Sequence, residues 1–483
     1  MGKFIGNIND VLWSTPVIYI ILAIGLLFTV LTRFLQVRLF KDMFTLTFQG
    51  KSSSAGVSSF QALAVSLSGR VGTGNIAGTA TAIAFGGPGA VFWMWTIAFI
   101  GASSAFIEST LAQIYKVKQD GQYRGGPAYY IEKGIGWKWF AVLFAIAAVV
   151  AMSLLMPGIQ SNSIAIGLEN AFNLSTTVTG IILVALIGII IFGGIKRIAT
   201  VASYVVPFMA LGYILVSLLI IAFNITELPA VFGLIIRSAF AFDSAFGGIV
   251  GAAIAWGVKR GIYSNEAGQG TGPHAAAAAE VSHPAKQGLV QAFSVYIDTL
   301  LVCSATAFMI LFTGMYNVEV PEGNMMVENL SGVEAGPGYT QAAVESVFPG
   351  FGASFVAVSL FFFAFTTIMA YYYIAETNIA YLVRKGNKWA MFGLKLVLLA
   401  ATFYGATNEA KLAWALGDVG LGVMVWLNLV AILLLAKPAL TALKDYERQK
   451  KEGKDPVFDP VSLGIKNADY WESEYKDQKE NVS

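Results

Sequence analysis

Charged side chains are scarce in this sequence of 483 residues: Lys and Arg number 31, Asp and Glu number 29, and together they make up 12%. Average soluble domains carry about 25%. Hydrophobic residues make up 56%, and the mean hydropathy is +0.66. A water-soluble fold cannot bury that much apolar surface while exposing so little charge. The composition excludes a disordered chain, a coiled coil and an ordinary cytosolic enzyme, and predicts a polytopic integral membrane protein.

Residue types that build metal sites and disulfides are also rare. The single cysteine, Cys303, excludes an intramolecular disulfide and a cysteine-rich metal site. The two histidines, His274 and His283, are too few for a histidine-rich metal cage. The net charge of +2 creates no field that would attract nucleic acid. We therefore expect the lipid bilayer, and not nucleic acid, as the large partner of this chain.

Eleven apolar segments are long enough to be transmembrane helices, because about 20 residues cross a bilayer core of about 30 Å. The fold class that we predict is an all-α polytopic membrane protein. The eleven predicted spans are residues 13–34, 58–84, 88–115, 138–167, 176–194, 198–223, 240–259, 287–314, 350–383, 389–406 and 410–436.

The distribution of Lys and Arg between alternate loops predicts the orientation. One side holds only Lys3, Arg237 and Lys411, and nearly all other basic residues, including Lys259 and Arg260, fall on the opposite side or in the tail after Lys437. We therefore expect a multi-pass protein of the cell membrane, with the N-terminus outside and the C-terminus in the cytoplasm.

The second predicted span contains an unusual polar and glycine-rich stretch, from Ser68 to Gly78. Glycine costs about 1 kcal/mol relative to alanine inside a helix, so a glycine cluster at mid-membrane suggests an unwound segment. Unwound backbone at that depth must line a polar cavity or be buried in protein. The alternative is close packing of small residues, although Arg70 and Asn75 serve packing poorly.

The seventh predicted span resembles the second, because it contains Gly247, Gly248 and Gly251 and then Trp256. No polar side chain falls inside this cluster, so close helix packing explains it equally well. Its position favours function: spans 2–6 and 7–11 form two sets of five, each opening with a glycine-interrupted helix. Because five is odd, the second set enters the membrane from the opposite side. This is an inverted repeat, typical of a transporter with its site at the midplane.

This organisation divides the chain into four parts. They are a peripheral first helix with a cytoplasmic link (1–56), the first five-helix repeat (57–224), the second repeat with its preceding outer loop (225–436) and the cytoplasmic tail (437–483).

Three motifs resemble blocks of a known transporter family. GGPGAVFWMW at 86–95, with a glycine at 101, closely resembles the signature of the sodium:alanine (alanine or glycine:cation) symporters, although Thr96 replaces an expected aliphatic residue. RGIYSNEAGQG at 260–270 and GRVGTGN at 69–75 resemble two further blocks. The resemblance spans roughly residues 10–440. It implies a leucine-transporter-like core of the amino acid–polyamine–organocation superfamily, sodium as the coupling ion, and alanine or glycine as substrate.

The wider fold implies roles for individual residues. Gly72-Thr73-Gly74-Asn75 is similar to the helix break of neurotransmitter:sodium symporters. By that resemblance, the amides of Thr73 and Gly74 would meet a substrate carboxylate, and Asn75 would supply an oxygen near the substrate or a cation. The implied sodium ligands are carbonyl groups of Ser68, Val71 and Phe363 and the hydroxyls of Thr366 and Thr367. Ordinary bonding of the two threonines to their own helix is the alternative.

Charges inside predicted spans are candidates for function, because each costs several kcal/mol unless it is paired or hydrated. Arg70 is the most central, and we expect it to pair with Asp298, Glu108 or Glu376. Asp418 is a candidate gate residue or an interfacial charge. Trp256 and Gln160 are candidates for lining the pocket. The glycine-rich stretch 268–272 is expected to be a hinge or inner gate, because no Lys-Ser/Thr pair of a phosphate loop follows it.

The sequence predicts sodium-coupled symport of small neutral amino acids into the cell. Proton coupling on the same fold is the alternative, with Asp298 or Glu376 as the titrating group. An intramembrane enzyme is disfavoured because the sequence lacks a metal-binding histidine pair and a convincing nucleophile–base pair. A channel is disfavoured because no repeated filter motif is visible.

Overall fold

A computed structural model describes residues 2–50, 52–53, 55–240, 242, 246–320, 324–383 and 387–475. Four helices precede the region predicted as the first repeat, and the first two meet at an angle of 42°. They are α1 (Gly2–Leu12), α2 (Thr15–Leu31), α3 (Leu35–Arg38) and α4 (Phe40–Thr47).

The next segment forms a helical bundle with one short hairpin. Its elements are α5 (Ser59–Arg70), a π-helical turn (Gly74–Gly78), α6 (Thr79–Gly86), α7 (Gly89–Ile114), β1 (Val117–Gln119), β2 (Gln122–Arg124), α8 (Pro127–Tyr130), a π-helical turn (Ile131–Ile135), α9 (Lys138–Val150), a π-helical turn (Ala151–Leu155), α10 (Pro157–Phe172), α11 (Thr176–Ile191) and α12 (Gly194–Phe223).

The remaining elements complete the bundle and form the C-terminal segment. They are a 3₁₀ turn (Ile225–Glu227), α13 (Leu228–Ala239), a 3₁₀ turn (Gly247–Ile249), α14 (Val250–Asn265), α15 (Gly272–Ala278), α16 (Pro284–Val295), a π-helical segment (Tyr296–Cys303), α17 (Ser304–Thr313), β3 (Asn317–Glu319), β4 (Met325–Glu328), α18 (Pro337–Val347), α19 (Gly352–Val383), α20 (Lys388–Thr407), α21 (Ala410–Leu434), α22 (Ala436–Lys451) and α23 (Asp469–Glu472).

The surface of the bundle fits a membrane. Within the described residues, seven helices are long and apolar enough to cross a bilayer, or eight if the bent pair α1–α2 counts as one span. α12 exposes one apolar face with the four-and-three spacing of a helix: Tyr204, Phe208, Leu211 and Leu215. An exposed apolar stripe of this kind is expected where a helix faces lipid. The protein is therefore helical and multi-pass, as the sequence predicts.

α7 sets the two ends of the bundle. Its 26 residues extend about 39 Å. α14, α15 and α16 pack against α7, and α5 packs against α15 and α16. The α18 end lies near the start of α7 and carries β3, β4 and α18. The tail end lies near Ile114 and carries β1 and β2, which pair antiparallel from Val117 opposite Arg124.

The chain after α21 is not a detached tail, because it folds back onto the tail end. Trp471 is 1% exposed, and its indole Nε1 donates to the carbonyl of Gln113 at 2.8 Å. The fully buried Lys116 ammonium lies 4.4 Å from the ring centre of Tyr123, 4.5 Å from that of Tyr470 and 5.3 Å from that of Trp471. Burial lowers the pKa of Lys116 to about 7. Residues 455–475 therefore form a cover over this end of α7.

Trp471→Ala tests this cover. Removing a buried tryptophan costs about 3–5 kcal/mol. In this protein the change would weaken the binding of the C-terminal segment to the end of α7. We expect residues 455–475 to exchange their amide hydrogens much faster, while α7 keeps its protection. Val461→Ala is the matched control, because Val461 is 63% exposed. Equal exchange in the two variants would contradict the docked arrangement.

Candidate functional site

Two interruptions in the helices meet inside the bundle. The first break is Val71–Thr73, where α5 ends at Arg70 and the chain resumes in the π-helical turn. The second break is Glu266–Thr271, between α14 and α15. A Cβ on Gly74 would lie 3.1 Å from the Cα of Ser264, so the chain beside the first break touches the chain beside the second. Backbone groups of both breaks therefore face one small region.

The prediction that the seventh span breaks at Gly247, Gly248 and Gly251 is wrong in position. Gly247 and Gly248 lie in the 3₁₀ turn before α14, and Gly251 lies in the first turn of α14. Gly248 and Gly251 are exposed. A Cβ on Gly87 would touch Phe246 and Ile249. The cluster therefore lies beside the end of α6, about 18 Å along that helix from Gly74.

The second break falls fifteen or more residues later, in a segment that contains three residues with left-handed backbone conformations. Glu266 adopts a left-handed conformation with φ 54°, and Gly268 and Gly270 have φ 81° and 85°. A helix cannot continue through left-handed residues, so α14 ends at Asn265. The glycine-rich stretch 268–272, which was expected to be a hinge or inner gate, lies largely within this interruption.

Glu108, which the sequence offered as a possible partner of Arg70, instead binds the second break. Its carboxylate accepts hydrogen bonds from the amides of Gly268 at 3.3 Å and Gly270 at 3.1 Å, and from Asn428 Nδ2 at 2.7 Å. Amides freed by an unwound helix need such a partner inside a membrane protein. The sequence marked Glu108 as an isolated charge in the apolar third span, but not the backbone amides that it binds.

Side chains from three other helices hold the first break. The Thr73 amide donates to Gln160 Oε1 at 3.0 Å, and Gln160 Nε2 donates to the hydroxyls of Tyr263 at 3.1 Å and Tyr371 at 3.3 Å. The structure thus brings Gln160, a predicted pocket residue, directly to the break. Tyr263 and Tyr371 were not predicted, because only the fold brings α14 and α19 beside α10.

Asn75 spans the break and the π-helical segment after α16. Its Oδ1 accepts from the Gly72 amide at 2.8 Å, and its Nδ2 donates to Asp298 Oδ1 at 2.7 Å. Asp298 also accepts from Ser264 at 3.1 Å and Thr299 at 2.7 Å. Both ends of the Asn75 amide therefore fix the shape of the first break.

Several of the predicted sodium ligands lie together. The Thr367 hydroxyl is 3.0 Å from the Phe363 carbonyl oxygen and 3.5 Å from that of Val71. The Thr366 hydroxyl donates to the same Phe363 carbonyl at 3.0 Å. Ser68 is fully buried on the preceding turn, and its hydroxyl donates to Val65. Both interpretations of the threonines are compatible with the geometry, since both hydroxyls bond to their own helix and that of Thr367 also faces Val71.

Arg70 does not make the ion pair that the sequence suggested. Its Nη1 donates to the carbonyl of Gln291 at 3.1 Å and to the hydroxyl of Ser294. Among the described residues, no carboxylate lies within 4.0 Å of Arg70. Glu376 instead forms a two-pronged pair with Arg124, at 2.8 and 2.9 Å.

A cluster of charges and rings covers the site on the side of the α18 end. Asp418 binds Lys259 at 2.6 Å and Arg260 at 2.9 Å. The Arg260 guanidinium lies 4.3 Å from the ring centre of Trp414 and 5.1 Å from that of Trp256. We call Lys259, Arg260 and Asp418 the gate cluster. Its two basic residues lie within α14, which corrects their assignment to a loop.

A large cavity lies above the gate cluster. Its volume is about 1460 Å³, and its lining includes Trp256, Arg260, Trp414 and Asp418 together with residues of α18. Gln160, Tyr263 and Thr73 are absent from that lining. The gate cluster therefore stands between the cavity and the two breaks.

Gly72→Ala tests the tight fit of the first break. A Cβ there would lie 2.4 Å from Thr367 Oγ1 and 3.0 Å from Gln160 Oε1, so we expect a loss of about 1–3 kcal/mol of stability. The measurement is the thermal unfolding of the detergent-solubilised protein. Gly212→Ala is the control, because a Cβ on Gly212 meets nothing within 4 Å. A melting temperature unchanged by Gly72→Ala would show that the break is looser than described.

The chain matches known proteins along nearly its whole length. The model of the sodium:alanine symporter family matches residues 1–460. The chain is 74% identical to a putative sodium/proton-dependent alanine carrier protein of Bacillus subtilis, with all of both chains covered. It is 61% identical to the sodium/proton-dependent alanine carrier protein of Bacillus sp. strain PS3, over 90% of this chain and 98% of the relative.

A solved structure shows the same fold at low sequence similarity. The manganese transporter of Eremococcus coleocola superposes with a TM-score of 0.51 at 14% identity, covering 85% of this chain and 90% of that one. Neither the family nor these relatives are enzymes, in agreement with the expectation from the sequence. The chain belongs to the sodium:alanine symporter family.

Proposed function

We propose that this protein is a secondary active transporter that carries small neutral amino acids, alanine and glycine, into the cell together with sodium. The observation that carries the proposal is the meeting of two broken helices whose backbone groups face polar side chains. Broken helices in transporters present helix ends and free backbone groups to charged substrates and coupling ions. Membership of the family and the names of two alanine carriers support this function.

The amino acid would bind at the first break. Its carboxylate would accept from the amides of Thr73 and Gly74, replacing the Gln160 oxygen that now accepts from Thr73. Side chains crowd this point so closely that Gly72 and Gly74 leave no space for a Cβ. Such crowding favours a substrate with a small side chain. Trp256 would contact the substrate during entry, because it lines the large cavity.

Sodium would bind between α5 and α19. The carbonyl oxygens of Ser68, Val71 and Phe363 and the hydroxyls of Thr366 and Thr367 would be its ligands. Hard cations prefer oxygen ligands and do not require a full negative charge among them. The short separations among Val71, Phe363 and Thr367 support this assignment.

The finer architecture is part of the same proposal. α5–α6 and α14–α15 would each be one interrupted span, and α2 and α11 would be short spans, which makes eleven. The two breaks would open the two halves of an inverted repeat, with the N-terminus outside and the tail in the cytoplasm. The large cavity then opens to the outside, and the docked tail covers the cytoplasmic end.

Transport would follow from differential binding to two conformations. Joint binding of sodium and amino acid stabilises the form in which both breaks close around them. The gate cluster must separate to admit substrate from the cavity. The inward sodium gradient then drives accumulation.

Replacing sodium tests the coupling ion. We expect alanine uptake into proteoliposomes to fall to background when choline replaces sodium, and Thr367→Val to raise the sodium concentration for half-maximal uptake at least tenfold. Thr377→Val is the matched control, because the one hydrogen bond of the Thr377 hydroxyl among the described residues is to Tyr373 in its own helix. Full uptake without sodium would overturn sodium coupling and favour the proton alternative.

Asp418→Asn tests the gate cluster. The change leaves the partly buried Lys259 and the buried Arg260 without their carboxylate, and breaking a buried pair costs about 3–5 kcal/mol. We expect a lower melting temperature and slower alanine uptake. Glu409→Gln, at the exposed start of the same helix, serves as the control. Normal uptake and stability in Asp418→Asn would remove this cluster from the mechanism.

A further inference from the structure

Four charged side chains are buried around the two breaks, and their charges do not balance. Arg70, Glu108, Glu266 and Asp298 are each at most 2% exposed. One positive and three negative charges leave a net charge of −2 if all four are ionised. An uncompensated charge in a membrane interior costs several kcal/mol. The cluster therefore requires a bound cation or a bound proton.

Two of the three carboxylates have the partners of an ionised group. Glu108 accepts three hydrogen bonds, two of them from backbone amides. Asp298 also accepts three, from Asn75, Ser264 and Thr299. A carboxylate with three donors is stabilised in its charged form. On both groups, each carboxylate oxygen already accepts at least one hydrogen bond.

Glu266 differs from both. Its Oε2 accepts one hydrogen bond, from the Thr271 hydroxyl at 2.8 Å, and its Oε1 has no partner among the described residues. It lines a cavity of about 10 Å³ together with Ser66, whose hydroxyl is also without a partner in the described part of the chain. That volume is close to the minimum for one water molecule. Glu266 is thus the carboxyl group of the three that has an unused oxygen and a cavity with room for about one water molecule beside it.

Among the residues that the structure describes, one cation acts on Glu266 and none forms an ion pair with it. From α5, Arg70 acts on it electrostatically without coming within 4.0 Å, and Asp298 acts on it from the π-helical segment after α16. Tyr263 of α14 and Tyr371 and Tyr373 of α19 are the neighbouring phenols. His274 of α15 is bound to the Thr271 carbonyl and to Asn378. Within the described part of the chain, the Thr271 hydroxyl is therefore the one hydrogen-bond donor to Glu266, and no cation pairs with its carboxylate.

We propose that Glu266 is a proton-binding site of the transport cycle. In the conformation described, the carboxyl group carries a proton taken from water through the small cavity, which reduces the net charge of the cluster to −1. Sodium bound nearby would bring it to zero. When the second break rearranges, the O–H bond of Glu266 ionises, the proton returns to water, and Arg70 faces the carboxylate. The inference rests on the proposed transport function and adds a titrating group at the same breaks.

Glu266→Gln in the full-length protein tests this site, because glutamine has the shape of the protonated side chain and cannot titrate. Alanine uptake is measured in proteoliposomes at fixed sodium between pH 5 and 9. For the natural protein we expect the rate to change with pH by up to tenfold per unit where the site titrates. In Glu266→Gln the rate should vary by less than about twofold over the whole range. A pH profile identical to that of the natural protein would overturn the proposal.

Glu169→Gln, at the exposed end of α10, is the control and should keep the natural pH profile. If Glu266→Gln folds without transporting, thermal unfolding against pH gives the second readout. A carboxyl group protonated only in the folded protein makes the folded state lose stability as pH rises. That loss should be smaller in Glu266→Gln than in the natural protein; an equal slope in both would reject the site.

The two proposals fail separately. Uptake that needs no sodium would contradict the proposed coupling ion, while the comparison of pH profiles would still test Glu266. Uptake that needs sodium but shows the same pH profile with and without Glu266 would contradict only the proton site.

Discussion

The need to pair every backbone polar group inside a membrane governs the centre of this protein. A continuous helix satisfies its own amides and carbonyls, whereas each break releases several of them into a region without bulk water. Glu108 takes two amides of the second break, and Gln160 and Asn75 take two of the first. The side chains at the proposed transport site are thus also the ones that stabilise the two breaks.

The same constraint explains why the polar side chains come from so many helices. Gln160 comes from α10, Glu108 from α7, Asn428 from α21 and Thr367 from α19. Each helix contributes one or two polar groups on an otherwise apolar face, so its composition still suits a membrane. A movement of any one helix changes the hydrogen bonds at a break, which couples the helices to the site.

Two covers isolate this polar centre from opposite ends of the bundle. On one side Arg260 is held by Asp418 and by the faces of Trp414 and Trp256. On the other, the segment after α22 closes over Lys116. A charge buried among aromatic faces keeps part of its stabilisation without water. Both covers use this device, and both must loosen if the site is to open alternately to the two sides.

The sequence by itself determined the membrane class, most of the helix positions and the first break. These follow from local properties: apolar length, and glycines beside Arg70 and Asn75 within one apolar span. The second break was misplaced because Gly247, Gly248 and Gly251 gave the same compositional signal as a true interruption. Only the packed structure shows that left-handed residues from Glu266 onward end α14 and that Glu108 accepts hydrogen bonds from the backbone amides freed there. The partner of a buried charge depends on which helices are neighbours. The partners of Arg70, Arg260 and Glu376 were therefore decided by the tertiary structure alone.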